Sequence, residues 1–378
     1  MSVVPVVSWT EDGRALSARW QSESGVSTPQ RVIVADDRLS ADAAYKLACE
    51  GTAILWRGDF QNARQLLQAM ARRIDRKHRK AKAASKPIDA AEFHLYRQAR
   101  LQRVRTLGML LLPFDDDYRI PLRRAPVVGA ACTEAYGPPN GPFVTTFREL
   151  QGLIGAHEWR KKGVLIPELG ARIHPHYGVF APIRGEYVGL VASAPMPAGS
   201  ALAFDIGTGT GVLAAVLAKR GVARIVATDQ DPRALACATD NVARLELAEQ
   251  VEVMRADLFP PGRASLIVCN PPWLPGRAGS SLERAVYDPD SRMLMGFIKG
   301  LALHLELGGE GWLVLSDLAE HLGLRTRTEL LTAIETAGLK VVGRMDVRPN
   351  HRRTVDSSDL LHVARAAEMT SLWRLALC

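Results

Sequence analysis

The second half of this chain predicts an α/β protein built on a doubly wound, mostly parallel sheet, and three observations carry that prediction. Short apolar runs, "ALAFDIG", "ARIVATD", "VEVMRAD", "ASLIVCN" and "GWLVLSD", alternate with segments of helical periodicity. The first four of the runs lead into an acidic or amide side chain: Asp205, Asp229, Asp257 and Asn270. The first opens into a glycine-spaced turn, Gly207, Gly209 and Gly211. In open sheets of this kind ligands bind outside the carboxyl ends of the strands, so these residues mark where a site is expected.

The elements follow in order. "ALAFDIG" runs through the turn into a helical pattern ending near Arg220; a second helix is expected from Pro232 to about Leu245, and a long one from Met293 to Leu305. A strand "LKVVGRMDV", a helix at "DLLHVARAA" and a last apolar strand "SLWRLAL" complete the half. Upstream, Pro167-Glu168-Leu169-Gly170 reads as a hairpin, which places a boundary near residue 175: an N-terminal domain of residues 1–175 and a second of 176–378. The first is expected to be mixed α+β and largely helical. "ALSARWQ" and "QRVIVAD" read as strands, and "SADAAYKLACEG" as a helix capped by Ser40 and stopped by Gly51. From Asp59 to Lys86, Ala63, Leu66, Leu67, Met70 and Ile74 share one helical face. "DAAEFHLYRQARLQRVRTLGMLL" reads as a further helix, residues 112–142 as a connector, and "FRELQGLIGAHEW" as another helix.

Composition bounds the class. With 378 residues, two domains are expected, and 47% hydrophobic against 23% charged residues is the balance of a globular protein. No apolar run reaches eighteen residues, and the N-terminus has no signal-peptide pattern, so a cytoplasmic protein without membrane attachment is expected. The five cysteines form no CxxC pair and suggest neither a disulfide framework nor zinc. Cys269 reads as a small core residue. His174 and His176 lack a clear third ligand, so no metal is expected.

A net charge of +8 attracts polyanions. Arg72, Arg73, Arg76, Lys77, Arg79, Lys80, Lys82 and Lys86 face a single acid, Asp75, across this stretch. Such a run is either a phosphate-contacting element or a solvated helix end. Asn350, His351, Arg352 and Arg353 fall between the last strands and read as an exposed loop.

The turn itself excludes some ligands. Its GxGxG spacing departs from the GxGxxG dinucleotide fingerprint, which argues against a nicotinamide-dependent dehydrogenase, and no Lys-Ser/Thr pair makes a phosphate loop. Asp205 before the turn would repel a pyrophosphate but can hold an amino group. Asp229, 22 positions beyond Gly207, stands where a carboxylate can accept from both ribose hydroxyls, and Asp257 where an acceptor can read an adenine edge.

"DIGTGTG", "ATDQDP", "RADLF" and "CNPPW", in this order and spacing, resemble the class I S-adenosylmethionine-dependent methyltransferases, and the branch with an NPPY-like motif in particular; the resemblance covers roughly residues 175–378. It implies a Rossmann-like sheet with the last strand antiparallel, S-adenosyl-L-methionine as cofactor and S-adenosyl-L-homocysteine as its product. It also implies that Asp205, Gly207, Thr208, Gly209 and Gly211 cradle the amino acid end of the cofactor, that Asp229 with Gln230 holds the ribose, and that Asp257 with Leu258 lies by the adenine. By the same resemblance Phe180 and Arg184, in "HPHYGVFAPIRGEY", belong to a segment closing over the cofactor.

The catalytic candidates are then Asn270, Pro271, Pro272 and Trp273. The prolines stiffen the backbone and remove two donors. The Asn270 side-chain oxygen and the Pro271 carbonyl can hold the two hydrogens of a planar amine, and Trp273 offers a face for stacking. The family usually has tyrosine or phenylalanine at this last position, which leaves the acceptor's size and kind open. The expected activity is N-methylation of a base exocyclic amine in RNA, or in DNA, which would need a larger target-recognition domain. A protein glutamine amide is the alternative acceptor and a small molecule the third. A catalytically idle RNA-binding scaffold is the non-enzymatic reading.

Overall fold

The computed structural model describes residues 5–79, 88–278, 282–349 and 359–378. The chain divides into two compact units, Met1–Ala83 with His94–Glu158, and Ala84–Phe93 with Trp159–Cys378. The expected hairpin near residue 170 therefore falls inside the second unit.

In the first unit β1 (Val6–Glu11) and β2 (Arg14–Trp20) form a hairpin through Asp12-Gly13, both in the left-handed region, as a two-residue turn requires. β3 (Arg31–Ala35) leads to α1 (Ala41–Cys49), where the Ser40 side chain accepts from Ala43 N. β4 (Thr52–Trp56) is buried throughout and is followed by α2 (Phe60–Arg79), which buries Ala63, Leu66, Leu67, Met70 and Ile74. α3 (Ala90–Leu107) ends before Gly108, four residues short of its expected end at Leu111, and the apolar run beyond becomes β5 (Leu110–Phe114). Periodicity alone does not separate such a run from a helix. The turn-rich stretch read as a connector holds α4 (Gly129–Tyr136) and leads to β6 (Phe143–Thr146) and α5 (Phe147–Lys162). The strands assemble as β1-β2-β6-β5-β4-β3, a mixed sheet.

The second unit opens with the hairpin of β7 (Val164–Ile166) and β8 (Ala171–Ile173), then α6 (Glu186–Ser193). The alternation predicted from the apolar runs follows: β9 (Leu202–Ile206), α7 (Val212–Lys219), β10 (Arg224–Asp229), α8 (Pro232–Arg244), β11 (Val251–Arg255) and β12 (Ala264–Cys269). Two short bridges, β13 (Leu274–Pro275) and β14 (Tyr287–Asp288), precede α9 (Arg292–His304) and β15 (Leu305–Ser316). α10 (Leu318–His321), α11 (Arg327–Thr336), β16 (Leu339–Val347), a short helix His362–Ala367 and β17 (Thr370–Leu377) close the fold.

The seven strands lie in the order β11-β10-β9-β12-β15-β17-β16. The first five are parallel, and β17 runs antiparallel to both its neighbours. Side chains alternate across the sheet. Ala203, Val268, Trp312 and Val314 pack with Val188, Val191 and Leu217 on one face; Phe204, Ile267, Cys269 and Leu313 pack with Phe297 and Leu301 on the other. The strand order reverses between β9 and β12, and a crevice at the carboxyl end is expected at such a switch point.

Among the described residues no helix is long and apolar enough to cross a membrane, and no group of three or more His, Cys, Asp or Glu side chains is placed to hold a metal.

Candidate active site at the carboxyl edge of the second sheet

The site begins at the turn after β9. Gly207, Gly209 and Gly211 all have positive φ, and a Cβ added at Gly207 would run into the Met293 methyl group. The Gly211 N–H donates to Thr208 O at 2.9 Å, closing the turn at the start of α7.

Asp205, on the α7 face of β9, is buried. Its Oδ2 accepts from the Thr208 hydroxyl at 2.6 Å and from Ala214 N at 3.0 Å, so the carboxylate holds the turn against α7. Burial pushes its pKa up to about 6, in spite of those two donors, and the nearby charge of Asp229 adds to the rise.

Asp229 ends β10. Its Oδ2 accepts from Gly209 N at 3.1 Å and its Oδ1 from Asp231 N at 2.9 Å, while Thr208 N donates to Thr228 O at 2.8 Å. The ends of β9 and β10 are thereby stitched together, and each Asp229 oxygen keeps a lone pair for a further donor. Burial raises the Asp229 pKa. Gln230 beside it is exposed. Asp257 is exposed and paired with Arg292 at 2.9 Å; Leu258, at positive φ, accepts from the Thr228 hydroxyl through its carbonyl at 2.6 Å. Phe180 is exposed, and Arg184 acts electrostatically on Glu368.

The corner after β12 stands beside this turn. Cys269 pairs with Ile206 across the parallel ladder, so Asn270 is level with Gly207. The indole N–H of Trp273 donates to Asn270 Oδ1 at 2.9 Å. Pro271 is buried, and Trp273 is half-buried against apolar side chains of both faces of the sheet. Cys269 is fully buried, and burial raises its thiol pKa strongly.

Sequence reading missed what fastens the corner to the turn. β13 pairs with β14, with Leu274 N donating to Val286 O and Gly276 N to Asp288 O. Asp288 is buried and its Oδ2 accepts from Met293 N at 2.9 Å and Leu294 N at 3.2 Å, capping α9. That cap sets Met293 over Gly207. The signal available was a lone Asp-Pro before an apolar helical run, too common to single out.

The histidine pair is structural: His174 N donates to Asn241 Oδ1 at 2.7 Å, and His176 Nε2 lies 3.1 Å from Asp240. In the first unit, Arg73 pairs with Asp42, and Asp75 with Arg103. Arg72 and Arg76 are exposed on α2. Lys77 and Arg79 lie on α2 without described side chains, and Lys80, Lys82, Lys86 and the Asn350–Arg353 stretch fall outside the described residues. Arg148 is held below the ordinary arginine range by burial and by the like charges of Arg103 and Arg100.

The residues fit the expected cofactor. The turn leaves no room for a side chain at Gly207, its backbone is held by Asp205 through Thr208 and by Asp229 through Gly209 N, and Asp229 retains acceptor capacity for ribose hydroxyls.

Residues 172–335 match the methyltransferase small domain family. The chain is 32% identical over 196 residues to the release factor glutamine methyltransferase of Cereibacter sphaeroides, covering 48% of this chain and 65% of that one. It is 36% identical over 164 residues to the release factor glutamine methyltransferase of Mycolicibacterium smegmatis, covering 41% and 53%. With the tRNA1(Val) (adenine(37)-N6)-methyltransferase of Bacteroides thetaiotaomicron it shares 42% identity over 74 residues, 18% and 31%. The chain thus spans less than two thirds of the length of each of these relatives. The glycine turn, the three strand-end acids and the Asn-Pro-Pro-Trp corner all fall within this match of residues 172–335 to the methyltransferase small domain family.

Proposed function

We propose that the chain is an S-adenosylmethionine-dependent N-methyltransferase whose acceptor is a planar exocyclic amine of a base in RNA. The observation that carries this reading is the level placement of Asn270 and Gly207 on adjacent strand ends, which sets an amide acceptor beside a cationic-nucleoside cradle.

The cofactor, when bound, supplies an electrophilic methyl group on a sulfonium. Asp205 and the glycines Gly207, Gly209 and Gly211 shape the cradle for its amino acid end, Asp229 with Gln230 receives its ribose, and Asp257 with Leu258 borders its adenine. Phe180 and Arg184 cover it. In the corner, the Trp273 N–H takes one lone pair of Asn270 Oδ1 and leaves the other. That lone pair and the Pro271 carbonyl accept the two hydrogens of the acceptor's NH2 group. Held so, the nitrogen would direct its own lone pair out of conjugation toward the methyl group that the cofactor would supply. The extra proton leaves through the same two acceptors to solvent. Positioning supplies much of the acceleration, and no strong base is required.

RNA is favoured by the net charge of +8 and by the arginines of the first unit. Arg148 is crowded by Arg100 and Arg103, and the exposed Arg72 and Arg76, with Arg73, Lys77, Arg79 and Lys80 in the same run, supply positive charge for phosphates. A second reading, methylation of a glutamine side-chain amide in a protein, is supported by the longer alignments with release factor glutamine methyltransferases. The same corner serves either planar nitrogen. Incubating the protein and methyl-labelled donor with total RNA and with total protein from cells lacking it separates the two: label in RNA supports the first reading, and label in protein alone replaces it with the second.

A further inference from the structure

The first turns of α9 touch both ends of the donor site with residues that belong to none of the strand-end motifs. Met293 lies against Gly207, its methyl group occupying the place a Cβ there would need. The contact is at an accessible surface: Gly207, Gly209 and Met293 are all partly exposed, whereas Thr208 and Thr210 of the same turn are buried. One residue before Met293, the exposed Arg292 pairs with the exposed Asp257 at 2.9 Å. Three residues after it, a Cβ added at Gly296 would collide with Leu258. Positions three apart share a helix face, so one face of α9 runs from the end of β9 to the residues that follow β11.

The place of Met293 is imposed by its neighbours. Asp290, at a φ of +54°, and Ser291, at +52°, are two successive non-glycine residues in the left-handed region directly before the helix. Such conformations persist only where the surroundings fix them, and they gather at ligand clamps. Asp288 does the fixing. It is buried, its Oδ2 accepts from Met293 N at 2.9 Å and from Leu294 N at 3.2 Å, and its backbone carbonyl accepts from Gly276 N at 3.1 Å. Asp288 therefore ties the segment leaving the Asn-Pro-Pro-Trp corner to the helix that lies on the glycine turn.

We propose that Met293 is a donor-binding residue, its thioether side chain packing on S-adenosylmethionine where the donor crosses Gly207, and that Asp288 is the positioning residue that keeps it there. This rests on the reading of the glycine turn as the donor site. A donor that reaches from Gly207 to Asp257 and Leu258 passes along this face of α9, because the face touches both. An unbranched thioether suits the place: it is apolar, and flexible enough to follow a ligand that loses a methyl group during turnover.

The test uses the full chain with S-adenosylhomocysteine as probe, calorimetry for affinity and chemical denaturation of the same samples for stability. Met293→Ala is expected to raise the Kd about five- to tenfold, the loss of one or two buried methylene contacts. Met293→Leu keeps the apolar volume and is expected to stay within about twofold of wild type. Asp288→Ala is expected to weaken binding about as much as Met293→Ala, and Asp288→Asn, which keeps an oxygen for both amides, to restore most of it. Because the two residues act on one contact, Asp288→Ala combined with Met293→Ala should bind no more weakly than Met293→Ala alone. Leu303→Ala, exposed at the far end of α9, is the control for the helix and should bind as wild type. Met293→Ala leaves the cap untouched and decides the first claim by itself: unchanged or tighter binding overturns it. Additive losses in the double variant overturn the role of Asp288. If wild type does not bind S-adenosylhomocysteine, the reading of the site has failed and the proposal falls with it.

Discussion

The Trp273 indole N–H donates to Asn270 Oδ1 across 2.9 Å, a bond that a tyrosine or phenylalanine in that position could not make in the same way. The tryptophan therefore does more than offer a flat face: it fixes the rotation of the Asn270 carboxamide. Trp273→Phe keeps a ring and removes the N–H. Turnover is expected to fall roughly two- to tenfold, the worth of one neutral hydrogen bond, with S-adenosylhomocysteine affinity unchanged. Unaltered turnover would reduce Trp273 to a stacking surface.

Asp229 joins two tasks, holding Gly209 N and keeping a lone pair on each oxygen. Asp229→Asn turns one acceptor into a donor facing the same amides. Calorimetry is expected to show S-adenosylhomocysteine binding weakened about ten- to a hundredfold, as for loss of hydrogen bonds to a charged group. Retained affinity would move the ribose site elsewhere.

Gly207 lies at a φ of +71° with Met293 against it. Gly207→Ala is expected to cost about 1–2 kcal/mol in chemical denaturation from the backbone alone. It should also weaken cofactor binding as the Met293 side chain is displaced. The double variant with Met293→Ala relieves the collision and not the backbone cost, so it should recover only part of the stability.

Asp205 gives a pH signature. Its folded pKa, about 6, lies above the ordinary 3.8, so the folded state binds the proton more tightly than the unfolded chain. That contribution is complete below about pH 4 and is lost as pH rises to about 6, on the order of 3 kcal/mol. Asp205→Asn has no such group. Denaturant melts should show wild-type stability declining relative to Asp205→Asn across this window and running parallel above it; parallel curves throughout would mean that Asp205 is not held in a raised state.

The sheet and the glycine turn were legible because their signals are local. Alternating apolar runs, Asp or Asn at their ends, and Gly207, Gly209 and Gly211 each follow from backbone geometry that few residues satisfy. Asp12-Gly13 carries a hairpin signal of the same kind, yet the strand before it, β1, was not expected. The parts that escaped depend on partners distant in sequence. Asp288 and Met293 gain meaning only when α9 folds back over Gly207. β5 escaped for a different reason: "LLLPF" is apolar on both faces, so it carries no period.

In the proposed reaction an amine held at the Asn-Pro-Pro-Trp corner is methylated from a donor seated on the neighbouring glycine turn. Methyl transfer from labelled donor to total RNA, measured side by side for wild type and Asn270→Ala at matched S-adenosylhomocysteine affinity, tests it most directly. Wild type is expected to label RNA, and the variant to be slower by about a hundredfold or more, the effect of removing a transition-state hydrogen-bond partner. Equal labelling by the two proteins would contradict the account, whatever the affinity for the donor.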